Sequence, residues 1–445
     1  PPRDGQGGVM KGRSVFGFDV PLLAASVLLV VIGIAFIFSS GVTATGVVFS
    51  NEYIKQTVWA LSGLALFFLF AIFDYSHLRN WAFRLYVFFL GVLLLTLLFG
   101  RVVNGAKSWI GIWELGIQPS EFSKVTTILF LARFLERKQA QISRLGYFLL
   151  SLGIVLLPMG LILLQPDLGT AAVFIPIFIF MLFIAGADIR HLAFFVATGL
   201  LLIFFTILPP YETYLAGQEI PALSLLTDRS LSLYLLGTIF VVFVVSVGGF
   251  LSVKKEYFYW MAYATLIVLL ALAGSAIFRS MLKEYQVMRL IVFLNPSVDP
   301  RGAGWNIIQS VTAVGSGGLW GKGFLRGTQS HYRYIPQQNT DFIFSILSEE
   351  WGFAGVLAVF GLFLVILGRG MLIIRNTKDR FASITAAGIV GMIFFHFAVN
   401  VGMAIGFMPI TGIPLFFLSY GGSSLWTVLI SVGILMNFYI RRYKF

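Results

Sequence analysis

FDVPLLAASVLLVVIGIAFIF, from Phe18 to Phe38, decides the fold class of this 445-residue chain. The run carries a single charge, Asp19, and is about as long as the roughly 20 helical residues that cross a bilayer. Similar apolar runs recur along the chain. Overall, 58% of residues are hydrophobic and 11% are charged, whereas soluble domains carry roughly 25% charged residues. The sequence therefore predicts an all-α polytopic membrane protein rather than several soluble domains.

About twelve spans are predicted, and an even number places both termini on one side of the membrane. They lie near residues 18–39, 53–73, 81–99, 122–135, 146–164, 168–186, 191–208, 231–251, 257–278, 347–368, 382–405 and 415–438. The fourth is short and is either buried or lipid-facing. Residues 1–9 precede Met10 and are interpreted as an expression scar, and no cleavable signal peptide is expected. Residues 10–445 then form a single transmembrane domain.

Basic residues assign the terminal side to the cytoplasm, because cytoplasmic loops carry an excess of Lys and Arg. This distribution explains much of the net charge of +12 without a nucleic-acid partner. The chain has no cysteine, which excludes disulfides and thiolate metal sites. The basic residues on this side are Lys11, Arg13, Arg79, Arg133, Arg137, Lys138, Arg144, Arg190, Lys254, Lys255, Arg369, Arg375, Lys378, Arg380, Arg441, Arg442 and Lys444.

The only long loop, about residues 279–346, is predicted on the outer side and expected to fold against the helices. It contains a glycine-rich stretch, Gly302 to Gly327. This is not a Walker loop, because Ser316 stands where glycine is needed and Gly323 where Ser or Thr is needed. Two alternatives stay open for its cations, which are Lys322, Arg326 and Arg333. They either bind an anionic ligand or are solvated loop charges.

Two outer-side motifs begin predicted spans. In QPSEFSK, Ser120 is a plausible N-cap, and Glu121 and Lys124 share one helix face. These charges form either an intrahelical pair at the helix start or part of a functional site at membrane depth. In QPDLGT, Asp167 is expected mainly to cap the next helix. A role in ligand binding is the alternative for Asp167.

Asp341 is the most isolated acid of the long loop. It lies in PQQNTDFIFS, Pro336 to Ser345, with no other charge within four residues on either side. An acid just before an apolar run is typical of a helix cap. A carboxylate beside Phe342 and Phe344 is also partly desolvated, which favours a base. The local sequence alone leans towards the cap.

Together these motifs resemble the SEDS family of polytopic cell-wall glycosyltransferases (shape, elongation, division and sporulation proteins), and most of all its elongation branch. The order of the motifs matches the family along most of the chain. Two departures are Asn339, where the family typically has His, and Ser108, where it usually has Arg. A helix pair at about 229–278 looks inserted, because family members usually have ten spans. The matching stretches also include YQVMRLIVFLNP, DPRGAGWNIIQS, GSGGLWGKG, YIPQQNTDFIFS and NVGMAIGFMPITGIPLFFLSYGGSS.

The resemblance implies polymerisation of lipid II at the outer face of the bacterial cytoplasmic membrane. Asp341 is then the general base for the acceptor hydroxyl, and undecaprenyl pyrophosphate is the leaving group. Glu121 and Lys124 are expected as an ion pair in a central cavity near Asp341. The candidate residues for binding substrate or pyrophosphate are Arg289, Lys322, Arg326 and Asp167.

The resemblance also implies partners and cofactors. A class B penicillin-binding protein, nascent glycan and membrane lipids are the expected partners, and Mg²⁺ or Mn²⁺ is a possible helper at the pyrophosphate. No nucleotide, haem or zinc is expected. For the segment around Asn400 and Ser419, which is rich in small residues, close helix packing is preferred over ligand binding. Two rival functions stay open: a flippase for lipid-linked precursors, and a non-catalytic scaffold of the cell-wall complex.

Overall fold

The computed structural model describes residues 17–103, 105–112, 115–217, 220–221 and 223–442. The segment 1–9, Lys11, Arg13 and Lys444 lie outside these ranges. The helices are α1 (Val20–Ser40), α2 (Glu52–Ile72), α3 (Tyr75–Phe99), α4 (Pro119–Arg137), α5 (Leu145–Leu164), α6 (Leu168–Ala172), α7 (Phe174–Ala185), α8 (Ile189–Tyr211), α9 (Ser224–Thr227), α10 (Arg229–Val253), α11 (Glu256–Met281), α12 (Glu284–Leu294), α13 (Ala303–Ser316), α14 (Thr328–His331), α15 (Ile343–Asn376), α16 (Arg380–Ala404) and α17 (Gly422–Arg441).

Eleven segments in the described ranges are long and apolar enough to cross a membrane. They are α1, α2, α3, α5, α6 together with α7, α8 with the turn after it, α10, α11, α15, α16 and α17. The remaining predicted span is α4, which is too polar to meet the same standard. Most of its side chains between Pro119 and Leu135 are buried, so the buried alternative for this span is confirmed.

Aspartate caps explain where five of the long helices begin. In each case the carboxylate accepts a hydrogen bond from a backbone N–H of the first turn, which otherwise has no partner. The caps are Asp19 of α1, Asp74 of α3, Asp188 of α8, Asp228 of α10 and Asp379 of α16.

The helices form a buried centre and an exposed periphery. In α16 and α17, 72% and 78% of the spanning window is buried, whereas in α10 the share is 6%. Helix α16 packs against α4, α7 and α15, and α17 packs mainly against α2. The pair α10 and α11 packs on itself and on α8, so the segment interpreted as an insertion lies at the edge of the bundle.

The segment between α11 and α15 is shorter than the loop predicted at 279–346, and it is largely helical. Helices α12, α13 and α14 lie in it, and α13 packs against α15 and α16. On the same predicted outer side, a three-stranded antiparallel sheet joins α3 to α4. Its strands, in the order β1-β2-β3, are β1 (Arg101–Val103), β2 (Ala106–Ile112) and β3 (Leu115–Ile117). This sheet was not predicted from the sequence.

The glycine-rich segment is held by a break in α15. At Gly352 the backbone has φ 62° and ψ −163°, which interrupts the helix. The N–H groups of Phe353 and Ala354 bond instead to the carbonyls of Gly318 and Leu319, at 2.9 and 3.0 Å. Conversely, the N–H groups of Lys322 and Gly323 bond to the carbonyls of Glu349 and Glu350. The segment therefore supplies the backbone partners that the broken helix lacks.

Candidate active site

Asp341 lies two residues before α15 and does not cap it. The N-cap is Phe342, and α15 has no side-chain hydrogen bond at its start, so the capping interpretation of Asp341 is wrong. Its backbone is fixed on both sides, because its N–H bonds to the Gln337 carbonyl at 3.1 Å and its carbonyl accepts from Asn400 Nδ2 at 2.9 Å. The Asp341 side chain lines a cavity.

The surroundings of Asp341 change its acidity. Burial raises the pKa of the carboxyl group above its ordinary value of 3.8, while a hydrogen bond from Thr340 and the positive charge of Arg289 act in the opposite direction. Desolvation is the largest of these effects. A carboxylate with a raised pKa binds a proton more readily than an ordinary aspartate, which suits a general base.

The cavity beside Asp341 has a volume of about 1190 Å³. Polar groups meet at the end that holds Asp341, and Arg190 and His191 line the cavity at the start of α8. The wall between them is mostly apolar and is built from α5, α6, α7, α8 and α11. On α5 the lining residues extend from Leu145 to Leu163. That distance is roughly 27 Å at the helical rise per residue, close to the thickness of the hydrocarbon core. The cavity is therefore a membrane-length groove with a polar end.

Asp167 lies at the same polar end and has two roles. It caps α6, since its carboxylate accepts from the N–H and the hydroxyl of Thr170 at 3.0 and 2.9 Å. Gln118 Nε2 donates to the same carboxylate at 3.0 Å, and both side chains line the cavity. The predicted cap is confirmed, and the carboxylate is also part of the cavity wall.

Arg289 on α12 is the predicted cation that shares the cavity with Asp341. It lines the cavity, and its charge acts on the Asp341 carboxyl group. Its guanidinium lies 5.6 Å from the ring centroid of Tyr285. In the described part of the chain, no carboxylate lies within ion-pair distance of Arg289. The guanidinium is therefore available for an anionic group in the cavity.

The ion pair of Glu121 and Lys124 exists, with Nζ and Oε1 2.7 Å apart and both side chains buried. Neither residue lines the cavity, so the prediction that the pair lies inside it is wrong. Lys124 Nζ also lies 3.1 Å from His396 Nε2, and His396 Nδ1 lies 2.9 Å from the Pro414 carbonyl. A carbonyl only accepts, so Nδ1 carries the proton and Nε2 accepts from Lys124. The pair thus supports the cavity wall at Pro414 from behind.

Comparisons with known proteins agree with this arrangement. The model of the FtsW/RodA/SpoVE family, described as cell cycle proteins, matches residues 20–216 and 213–444. A relative from Treponema pallidum, named peptidoglycan glycosyltransferase RodA, is 49% identical over 97% of this chain and 100% of its own. Stage V sporulation protein E of Bacillus subtilis is 36% identical over 96% of this chain and 97% of its own.

The chain belongs to the FtsW/RodA/SpoVE family. Solved structures of other members share the fold. One is a chain from a peptidoglycan synthase complex, with a TM-score of 0.67 and 28% identity over 96% of this chain and 99% of that one. Another is the rod shape determining protein RodA of Thermus thermophilus, with a TM-score of 0.60 and 26% identity over 96% and 98% of the two chains. The resemblance to the SEDS family is confirmed.

In this member of the family, Lys322 and Arg326 lie away from the cavity. Lys322 Nζ is 2.6 Å from Glu349 Oε1 and 2.7 Å from the Thr328 hydroxyl. Arg326 packs beside Gly323 in the same glycine-rich segment, and neither cation lines the groove. The two candidate cations therefore do not share the groove with Arg289, and Lys322 instead neutralises the buried Glu349.

The structure also gives the local roles of Ser120 and of the two departures from the family pattern, Asn339 and Ser108. Ser120 is not the cap of α4, because the helix begins at Pro119 after Gln118, and the Ser120 hydroxyl is buried without a hydrogen-bond partner. Asn339 donates its side-chain amide to Glu52, and its carbonyl accepts from Tyr420 N at 2.8 Å. Ser108 is buried and lines the cavity.

Several residues that position the site were not predicted from the sequence to do so. Asn400 joins two cavity segments, and His396 links the buried ion pair to the wall. Glu349 and Glu350 are buried and accept bonds from the glycine-rich segment and from Ser39. A usable signal was present, because polar and ionisable residues inside apolar spans are functional or structural by default.

A divalent cation has little support from the side chains near Asp341. Within the described ranges, no group of three or more His, Asp or Glu side chains could hold a metal ion. The acids at the polar end of the groove are already bonded, as Asp167 is, or stand singly, as Asp341 does. The side chains at this end of the groove therefore do not fit a divalent cation.

Proposed function

We propose that this family member is a peptidoglycan glycosyltransferase that polymerises lipid II during cell elongation. The names of full-length relatives support the activity. The observation that carries the proposal is the position of Asp341, whose carboxylate faces the polar end of a membrane-length apolar groove beside Arg289. A lipid-linked sugar needs this combination, because its sugar and pyrophosphate are polar and its carrier is apolar.

In the proposed reaction, Asp341 takes the proton from the C4 hydroxyl of the terminal GlcNAc of one glycan. The hydroxyl oxygen then forms a bond to the anomeric carbon of the sugar that is linked to undecaprenyl pyrophosphate. The bond from that carbon to the pyrophosphate oxygen breaks, and its electron pair leaves with undecaprenyl pyrophosphate. The proton on Asp341 passes to solvent. A positioned base contributes about 10²–10⁴-fold to such reactions.

Arg289 is the residue proposed to stabilise the leaving pyrophosphate. It is a permanent cation and donates several hydrogen bonds in a planar fork that suits phosphate oxygens. No carboxylate of the described chain competes for it at ion-pair distance. The apolar walls of α5 and α8 would hold the isoprenoid tail, so the reacting carbon stays at the polar end. Asp167 and Gln118 would bind sugar hydroxyls there.

The proposal also places the protein in the cell. The multi-pass membrane chain would lie in the bacterial cytoplasmic membrane with Asp341 facing outwards, since basic residues mark the opposite side. A class B penicillin-binding protein is the proposed partner. Its support is the likeness to a chain from a peptidoglycan synthase complex that coordinates polymerization and crosslinking.

Polymerisation by the purified complex tests the proposal. Asp341→Asn keeps the shape of the side chain but removes the base, so glycan strands should fall by at least about a hundredfold. The matched control is Asp228→Asn, at an exposed cap of α10 far along the chain, because asparagine caps helices as well as aspartate does. The control should polymerise lipid II at the wild-type rate.

The same experiment separates the rival functions. If the protein were a flippase, it would move lipid II across vesicle membranes without making glycan. Asp341→Asn would then leave the amount of glycan unchanged from that of the wild type. A scaffold would bind its partner but show no polymerisation of its own when the partner's activity is blocked. Wild-type polymerisation by Asp341→Asn, with the partner still bound, would overturn the assignment of Asp341 as the base.

A further inference from the structure

A second pocket lies at the other end of the bundle, on the predicted cytoplasmic side, and the proposed reaction does not use it. Its volume is about 370 Å³, and it lies between α3 and α4, which pack against each other. The residues that line it are Asn80, Phe83, Arg84, Phe130, Arg133, Phe134 and Arg137. The pocket therefore combines three arginines with three phenylalanines.

The spacing of these residues shows that the two helices build the pocket with single faces. On α4 the lining residues follow the pattern i, i+3, i+4, i+7, which is one stripe of a helix. On α3, Asn80 and Arg84 are one turn apart. The rings of Phe83 and Phe130 join the two stripes, with centroids 5.3 Å apart. This arrangement places cations around an aromatic floor.

No carboxylate of the described chain lies within ion-pair distance of the three arginines of the pocket. Arg133 is anchored by a 2.8 Å bond from Nη1 to the Asn80 carbonyl, and it is repelled by Arg137 and Arg84. The described chain gives Arg84 and Arg137 no ion pair. Glu136 attracts Arg133 and Arg137, but it forms its ion pair with Arg79, at 3.0 Å. Three guanidinium groups thus share one pocket without an acid of their own.

We infer that this pocket binds the phosphate headgroup of an anionic phospholipid from the cytoplasmic leaflet. Guanidinium groups suit phosphodiester oxygens, and the phenylalanine floor suits the first carbons of an acyl chain. Basic pockets between transmembrane helices on this side bind anionic lipid headgroups in other proteins. Charge complementarity and the exposure of Phe83 at the helix surface, where lipid has access, support this occupant. The inference depends on the proposed orientation, not on the proposed catalysis.

Lipid binding by the delipidated full-length protein in neutral detergent tests the inference. The probes are phosphatidylglycerol and cardiolipin, with phosphatidylcholine for comparison, and bound lipid is counted by native mass spectrometry. Wild type should retain the anionic lipids in preference to phosphatidylcholine. The test variant is Arg84→Gln with Arg137→Gln, which leaves the bond between Arg133 and Asn80 intact. Its affinity for anionic lipid should fall roughly fivefold for each guanidinium removed.

A matched control removes two charges from the same side without touching the pocket. Arg144→Gln with Lys378→Gln changes two exposed residues and should bind anionic lipid as wild type does. Equal losses in both double variants would show general attraction by a basic surface and overturn the inference. Wild-type binding by Arg84→Gln with Arg137→Gln would show that these arginines serve only membrane orientation. Complete displacement of the lipid by glycerol phosphate would assign the pocket to a soluble phosphate instead.

Discussion

Asn400 on α16 holds Asp341 in place through its side-chain amide. Nδ2 donates to the Asp341 carbonyl at 2.9 Å and to the Ile413 carbonyl at 2.8 Å. Asn400 itself is fully buried. Ile413 follows Gly412, where an added Cβ would lie 3.7 Å from Oδ2 of Asp341. One amide therefore joins the two segments that form the polar end of the groove.

Asn400→Ala should lower polymerisation by about tenfold or more, because a small displacement of a catalytic group has large effects on rate. The matched control is Asn437→Ala. Asn437 is also buried, and its side-chain amide donates to the carbonyls of Phe70 and Phe73. It lies in α17 and, within the described residues, has no hydrogen bond to the segments that hold Asp341. Both variants should lose about 1–3 kcal/mol of unfolding free energy, since buried carbonyls lose a donor. Only Asn400→Ala should lose turnover per folded molecule.

Lys124→Met should destabilise the protein strongly, because it leaves the buried Glu121 carboxylate without its cation. Breaking a buried ion pair in this way costs about 3–5 kcal/mol. The measurement is thermal or denaturant unfolding in detergent. Glu121→Leu combined with Lys124→Met should recover much of the lost stability, because no buried charge is then left unpaired. A double variant as unstable as the single variant would contradict this account.

The pH dependence of polymerisation should report on Asp341. The base works as a carboxylate, so activity falls as the pH drops through its pKa. Because burial raises that pKa, the acid limb should lie above the ordinary value of 3.8. Arg289 opposes the shift, so Arg289→Gln should move the acid limb to still higher pH, besides lowering the rate. Lys322→Gln, which removes a cation paired with Glu349, should leave the limb where it is.

Gly352→Ala should disrupt the junction between α15 and the glycine-rich segment. A Cβ at Gly352 would lie 2.2 Å from Gly321 N, and the φ of 62° is strained for alanine. Neither backbone can move away without losing hydrogen bonds, so unfolding should occur at a clearly lower temperature. Gly361→Ala, nine residues further along α15, has open space around its Cβ. It should be neutral or more stable by up to about 1 kcal/mol, through helix propensity.

Hydropathy predicted the helices well where each one is apolar along its length. The first run, expected at 18–39, is the helix Val20–Ser40. The run expected at 347–368 lies inside a longer helix, Ile343–Asn376, which also carries the buried Glu349 and Glu350. The last span was expected from 415, but its helix begins at Gly422. Apolar residues before Gly422 are buried in an irregular segment, which hydropathy cannot distinguish from helix.

The sequence by itself determined the fold class, the position of most spans, the side that carries the basic loops and the family motif around Asp341. These are properties of single segments, set by the hydropathy and charge of neighbouring residues. Only the tertiary structure decided which charges meet. The charge of Arg289 acts on Asp341, Lys322 pairs with Glu349, and Lys124 lies beside His396. The physical reason is that a buried charge needs a partner, and packing between distant helices chooses which partner is within reach.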